Sequence, residues 1–407
     1  MKKTLFLRGT CGLATLLLAV TFAVADWPQF RGPGGSGVSG ATGLPVTWSK
    51  TENVRWKAAL PGRGLSCPVI VGGRVYLTAN SGSEQQRLHV LCFDEKTGKK
   101  LWERQAWATG NTGCHPKTCM AAPTPVTDGE RVYALFATAD LFCYDRDGNL
   151  QWYRSLVGDY PKLSNQVGMA ASPVLYKDLL LVPMDNVGAS FFAGIDRRTG
   201  QNRWKADRPR DINWTTPLVY TNRGRPEVLF QSGQGLYAYD PETGKKRWEF
   251  KPPAGSSSIP SPVAGDGTIL APGGGDFLVL RPPEEGGKPE VVWKSNKLRS
   301  GYASALYHQG KVYALTGANV LVCVDHASGK ELWRERVTGP FAASPVLADG
   351  KVYAVSEGGK TSVVDVTGEP KVLAVNEIGE TILATPAVSG GAIFLRSDQH
   401  LWCFGKK

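Results

Sequence analysis

A few side chains of this 407-residue chain stand outside its regular patterns and are able to hold a ligand. Trp214 is an indole outside any repeat and offers a face for stacking. Lys117 and Arg299 are cations that can meet carboxylates. His115 is a titratable imidazole, while Asn165 and Gln166 supply amide donors and acceptors. Arg63, Asn213, Tyr302 and Phe341 lie in comparable segments. This is the chemistry of recognition, and Trp214, Arg299 and Lys117 are expected to share one opening, with His115, Asn165 and Gln166 beside it.

Covalent and metal chemistry find little support. His89, His115, His308, His326 and His400 have no metal-ligand partner at a diagnostic spacing. The Ser, His and Asp residues form no nucleophile elbow. Gly273-Gly274-Gly275 reads as a turn between strands, because no helix follows to cradle a phosphate. Cys114 and Cys119 flank His115-Pro116-Lys117-Thr118, and in an exported chain they are expected to form a disulfide contributing roughly 2 kcal/mol. A metal site using both cysteines and His115 is the lesser alternative. No catalytic residue and no metal ligand is assigned.

The elements that must position these residues are set by a recurrent motif, Asp-x-x-Thr-Gly-x-x-x-Trp. It is complete at Asp94–Trp102, Asp196–Trp204 and Asp240–Trp248, and Asp325–Trp333 carries Ser328 in the Thr place. Asp145–Trp152 is one residue shorter, and Asp365-Val366-Thr367-Gly368 keeps the turn without the Trp. Such self-similarity marks a solenoid or propeller. Each unit reads as four strands: an apolar run after a small residue and often Pro, a β-rich run such as Gly73–Leu77, a run ending at the Asp, and a strand carrying the Trp. Asp and Gly make the intervening hairpin, Gly by taking positive φ.

Eight first strands are headed by Pro68, Pro125, Pro173, Pro217, Pro262, Ala305, Pro345 and Pro386. The last unit stops at its third strand, Leu401–Phe404, and Asn53–Lys57 can supply the missing fourth. The reading is an all-β, eight-bladed propeller of four-stranded antiparallel blades closed by an N-terminal strand, with seven blades as the alternative. Trp56, Trp102, Trp152, Trp204, Trp248, Trp293 and Trp333 are expected to lie between blades, each contributing roughly 2–3 kcal/mol.

Residues 1–25 carry Lys2, Lys3 and Arg8 before an apolar run and end in Ala23-Val24-Ala25, the pattern of a secretory signal peptide. Residues 26–52 form an extension whose Trp27, Phe30 and Trp48 should pack on the propeller of residues 53–407. No other stretch is apolar enough to span a bilayer, so an exported, periplasmic or extracellular location is expected. The formal charge of +11 falls by three without the leader and is scattered over hairpin turns. It gives solubility and a tilt toward anionic surfaces, and no module for specific nucleic-acid binding is visible. Cys92, Cys143, Cys323 and Cys403 share one place in the third strands and read as buried thiols, as does Cys67.

These repeats resemble the pyrroloquinoline-quinone (PQQ)-type propeller repeat, with signature Ala-x-Asp-x-x-Thr-Gly-x-x-x-Trp, over essentially Trp56 to Phe404. Trp27-Pro28-Gln29-Phe30-Arg31-Gly32-Pro33 is similar to the start of secreted PQQ-like repeat proteins. The resemblance implies one of two roles. One is a non-catalytic module like BamB, the propeller of the outer-membrane β-barrel assembly machinery. The other is a quinoprotein alcohol or sugar dehydrogenase with PQQ and Ca²⁺ on the axis. The adjacent-cysteine disulfide of those dehydrogenases has no counterpart, and Asp159, Asp185 and Asp211 match no Ca²⁺ motif. The expectation is therefore a monomeric binding or scaffold propeller for a protein, glycan or envelope partner, without a cofactor. The dehydrogenase is the alternative.

Overall fold

The repeats fold as their turn chemistry requires. In the first, Asp94 Oδ1 accepts from the Thr97 backbone N–H at 2.8 Å and from its hydroxyl at 2.7 Å, while the Gly98 N–H donates to Asp94 O at 2.9 Å. Gly98 sits at φ 69°, a conformation that costs glycine little. The chain therefore reverses within the motif and starts a new strand at Lys100.

The computed structural model describes residues 26–165, 167–256 and 259–406. The expected leader and Gln166 lie outside the described residues. Among the described residues, eight antiparallel sheets of four repeat strands form an eight-bladed propeller. Blade 1 comprises Val69–Val71, Arg74–Ser81, Arg87–Asp94 and Lys100–Trp107, hydrogen-bonded in that order. The first strands of blades 2 to 7 begin at Val126, Val174, Leu218, Val263, Leu306 and Val346. Blade 8 joins Ala387–Ser389, Ala392–Arg396 and His400–Gly405 to Val54–Ala59. The last pairing is antiparallel, Trp56 opposite Cys403 and Lys57 opposite Trp402, so head and tail of the chain close the ring. Helix is limited to Leu156–Asp159 and a 3₁₀ turn at Pro33–Gly35 among the described residues.

Second and third strands are buried almost throughout, whereas the fourth strands form the partly exposed rim, as in Lys100–Trp107. Apolar side chains of adjacent blades interleave to give the core. Because strands alternate in direction, the motif turns and the first-to-second turns share one end of the ring, here the lower. Loops entering the first strands share the upper end.

The extension of residues 26–52 crosses the lower end. Trp27 bridges Ile70 of blade 1, Pro28 O accepts from Thr127 N of blade 2, and Arg31 Nη2 donates to Ala305 O beside blade 6. Val38–Ser39 then pairs in parallel with Leu347–Ala348, adding a fifth, innermost strand to blade 7. Trp48 packs on Tyr353 and Phe404, with ring centroids 6.3 and 5.4 Å away. One segment thus reaches blades 1, 2, 6, 7 and 8 and floors the axis.

Candidate functional site

The segment entering each first strand is extended, so alternate side chains point the same way. In all eight blades two such residues face the axis, and they stack as two rings around a cavity of about 300 Å³. The lower ring holds Cys67, Thr124, Ser172 and Thr216 from blades 1 to 4, and Ser261, Ser304, Ser344 and Thr385 from blades 5 to 8. Two residues earlier in each blade stand Leu65, Ala122, Ala170 and Trp214, then Ile259, Tyr302, Ala342 and Leu383. Phe30, from the extension, supplies the floor, and His115, Lys117 and Thr118 supply the rim.

The lower ring is a closed hydrogen-bonded belt. Cys67 N donates to Thr124 Oγ1 at 2.9 Å, Thr124 N to Ser172 Oγ at 3.0 Å, and Ser172 N to Thr216 Oγ1 at 3.1 Å. The pattern continues through Ser261, Ser304, Ser344 and Thr385 at 2.9 to 3.0 Å. The Thr385 backbone bonds the Cys67 thiol, which completes the circuit. Each hydroxyl oxygen takes an N–H from the blade before it and keeps its own O–H to donate. Burial raises the Cys67 pKa, so this member remains a thiol at neutral pH.

The expected opening is only partly assembled. Trp214, His115 and Lys117 do surround the axial cavity. The Trp214 indole is half-buried and its Nε1 donates to Gly168 O at 2.7 Å. Lys117 leans across the mouth from the loop entering blade 2. Its Nζ meets Glu357 of blade 7 at 2.9 and 3.1 Å and lies 5.0 Å from the Tyr302 ring centroid. The Glu357 hydrogen bond raises the Lys117 pKa, so this cation is already paired with a carboxylate. His115 is exposed at the rim, its Nδ1 accepting from Lys117 N at 3.1 Å.

Arg299 and Asn165 do not join them. Arg299 reaches sideways toward Gly274 O, at 3.4 Å, and lines shallow depressions over blades 5 and 6. Asn165 braces the loops between blades 2 and 3, donating to Ala137 O at 2.7 Å and accepting from Gly168 N at 2.9 Å. Of the other loop residues, Asn213 is buried and donates to Asp185 Oδ2 at 2.9 Å. Asp185 in turn pairs with fully buried Arg208 at 2.7 Å, which makes this acid part of the scaffold.

The expected Cys114–Cys119 disulfide is absent, and both thiols are free. The intervening turn, closed by Thr118 N to His115 O at 2.8 Å, separates them. Cys114 stays near the surface, where its Sγ accepts from Gln85 Nε2 at 3.2 Å. Cys119 is buried in the core between blades 1 and 2, and burial pushes its pKa up to about 12.

The seven repeat tryptophans occupy the seams between blades. Trp56, Trp102 and Trp152 donate to the carbonyls of Glu95, Arg146 and Arg197 in the following blade, at 2.8 to 3.1 Å. Trp204 and Trp293 do the same to Pro241 and His326. Trp333 packs with Tyr313 in the core it shares with blade 7. At Trp248 the following turn lacks the motif, and the indole donates instead to buried Glu227 at 3.0 Å.

The sequence does not mark the belt, and it marks Phe30 as packing on the propeller without placing it on the axis. The small residue before each Pro was visible, and the residue two places earlier follows from strand alternation. The floor could not be foreseen, because nothing local ties Phe30 to a distant axis.

The donor set of the cavity differs from what a Ca²⁺–quinone pair needs. No Asp or Glu lines it, and the belt offers only neutral hydroxyl oxygens, each already accepting one backbone N–H. Among the described residues no cluster of three His, Cys, Asp or Glu side chains is placed to hold a metal ion. Ca²⁺ requires several oxygen ligands, usually with carboxylates, so these residues do not fit such a pair.

No curated protein sequence matches the chain. Among solved structures it is similar to BamB from Moraxella catarrhalis, at 15% identity and a TM-score of 0.64 over 87% of this chain and 97% of that one. It is similar to a europium-containing methanol dehydrogenase at 12% identity and a TM-score of 0.72, covering 94% of this chain and 98% of the other. A quinohemoprotein alcohol dehydrogenase from Comamonas testosteroni gives 14% identity and a TM-score of 0.71 over 94% and 81%. At these identities the likeness establishes the fold and leaves the chemistry open. The family model described as outer membrane protein assembly factor BamB matches residues 34–210, 187–288 and 286–371. With its repeats, closed ring and matched length, the chain belongs to this BamB-type family of PQQ-like repeat propellers.

Proposed function

We propose that the protein is a non-catalytic binding or scaffold propeller that receives a protein or envelope partner at its upper face. The observation that carries this reading is the rim of the axial opening. Tyr302 is 40% exposed there, beside half-buried Trp214 and exposed His115, on loops anchored in a closed ring. Rigid aromatic side chains around a concavity are the usual anchors of protein recognition. The role for which the matching family is named, outer membrane protein assembly, supports an envelope partner. The leader-like sequence of residues 1–25 supports an exported location, periplasmic or extracellular. No helix among the described residues is long and apolar enough to cross a membrane.

The competing reading is a PQQ- and Ca²⁺-dependent alcohol or sugar dehydrogenase, drawn from the fold of the dehydrogenase neighbours. The carboxylate-free lining weighs against it. Two measurements decide. Photo-crosslinking from position 302 in the envelope should trap a discrete partner, and Trp214→Ala should abolish capture while the circular dichroism spectrum is unchanged. Addition of PQQ and Ca²⁺ to purified protein should yield neither stoichiometric quinone binding nor dye-linked alcohol oxidation. Turnover in that assay would replace the partner reading.

A further inference from the structure

The axial cavity has a chemical polarity that partner capture at the rim does not use. Its lower ring presents seven hydroxyls and one thiol; each hydroxyl oxygen accepts one backbone N–H and keeps an O–H donor that can turn to the axis. Its upper ring is almost entirely apolar, with the Trp214 and Tyr302 rings as its only polar-tipped members.

Two buried guanidiniums flank the belt. Arg31 is 1% exposed and follows Phe30, the cavity floor. It bonds only the carbonyls of Ser36 and Ala305, and Ala305 is the neighbour of belt residue Ser304. Its Nε and Nη1 have no hydrogen-bond partner. Arg396 is also 1% exposed and donates to Thr78 O at 3.1 Å and Ser66 O at 3.4 Å, next to belt residue Cys67. Its Nε is likewise unpartnered. Neither arginine has a carboxylate in ion-pair contact among the described residues. Buried positive charge of this kind is weakly screened; Asp398 acts on Arg396 from outside the cavity, and no acidic side chain lines the cavity itself.

We propose that this blind cavity is a binding site for a small carboxylate with an apolar or aromatic body, its anionic head in the hydroxyl belt and its body against the ring above. A single diffuse negative charge suits neutral donors backed by nearby cations. A phosphate dianion would require cations in direct contact, and the lower ring has none. The volume, about 300 Å³, is at the small end of ligand pockets, which favours a compact acid over a polymer end. Lys117, held across the mouth by Glu357, would cover the seated ligand.

The site is independent of the partner reading, because it is tested on the purified protein alone. Calorimetric titration with phenylacetate should show saturable one-to-one binding, accompanied by a fluorescence change that Trp214→Phe removes. Phenylacetamide, of the same shape without charge, should bind at least tenfold more weakly, and acetate or inorganic phosphate should bind weakly or not at all. Ala342→Trp, which fills the upper ring without touching the belt, should abolish binding in a folded protein. Cys67→Ser keeps the belt intact and adds an eighth hydroxyl, so it should tighten binding several-fold. Equal affinity for acid and amide, phosphate binding as tightly as phenylacetate, binding that survives Ala342→Trp, or no binding of phenylacetate by folded protein would each overturn the proposal.

Discussion

Trp56 of the ring-closing strand lies against Gly98 of blade 1, so closely that a Cβ built on Gly98 would stand 2.5 Å from the indole Cδ2. The same contact joins Trp102 to Gly148, Trp152 to Gly200 and Trp293 to Gly329. The motif glycine therefore meets two demands, a positive φ and room for the neighbouring blade's indole. Gly98→Ala should destabilise the protein by about 2–4 kcal/mol, combining backbone strain with overpacking. Gly72→Ala, also at positive φ but with open space around the added methyl, should cost about 1 kcal/mol. Urea unfolding of both variants checks this, and equal losses would contradict the seam contact.

That pairing explains why the fold was legible. Thr97-Gly98 and Trp102 recur because each blade must fit the next, so the interface is written into the local motif. The closing strand was also readable, since Val54–Lys57 matches the place of a fourth strand. The opening is less legible in the sequence. Lys117 and Trp214 enter it on the strands they precede, but Arg299 and Asn165 turn away because nearby carbonyls take their donors. Cys114 and Cys119 misled because short sequence separation does not fix side-chain direction across a tight turn.

Glu227 replaces a missing turn. Its buried carboxylate accepts from Trp248 Nε1 at 3.0 Å and from the Tyr220 hydroxyl at 2.5 Å, where the next blade offers no motif carbonyl. Glu227→Ala should lose about 3–5 kcal/mol, since it orphans a buried indole N–H and a phenol and removes the longer Arg225 ion pair. Trp248→Phe should restore part of the loss in the double variant. Strict additivity of the two changes in denaturant titration would show that the pair is not coupled.

The cysteines give a simple count. Without residues 1–25 the chain carries seven, all free and all buried except half-exposed Cys114. A thiol reagent should titrate one cysteine rapidly in the native protein and seven after denaturation without reductant. Cys114→Ser should remove the rapid phase and leave thermal stability within about 0.5 kcal/mol, as for a surface change. Five thiols in the denatured, unreduced protein would restore the disulfide.

Acid should loosen the ring at its turns. The Thr97, Ser328 and Thr367 hydroxyls hold the carboxyls of Asp94, Asp325 and Asp365 below the usual range, and Arg203 brings Asp196 down to about 2. Carboxylates with depressed folded pKa values stabilise above their unfolded value of about 4, and this is lost as pH falls through the folded values. Urea midpoints should therefore be level from pH 6 to about 5 and decline between about pH 4 and 2. Asp196→Asn should flatten that decline, and an unchanged slope would place the acid sensitivity elsewhere.

The extension is expected to be separable from the ring it floors. Trp27 is fully buried, and Trp27→Ala should cost about 3–5 kcal/mol locally. The backbone it secures is specific: Ile70 N donates to Trp27 O at 2.8 Å, Thr127 N to Pro28 O at 3.0 Å and Leu347 N to Gly37 O at 2.9 Å. Ring closure runs through different bonds, those between Val54–Ala59 and His400–Gly405. Hydrogen exchange in Trp27→Ala should therefore accelerate at the Ile70, Thr127 and Leu347 amides while the closing pair stays protected. Because Phe30 hangs from the same segment, the variant should also weaken any ligand held on the axis. Uniform acceleration across all blades would instead mean that floor and ring unfold as one unit.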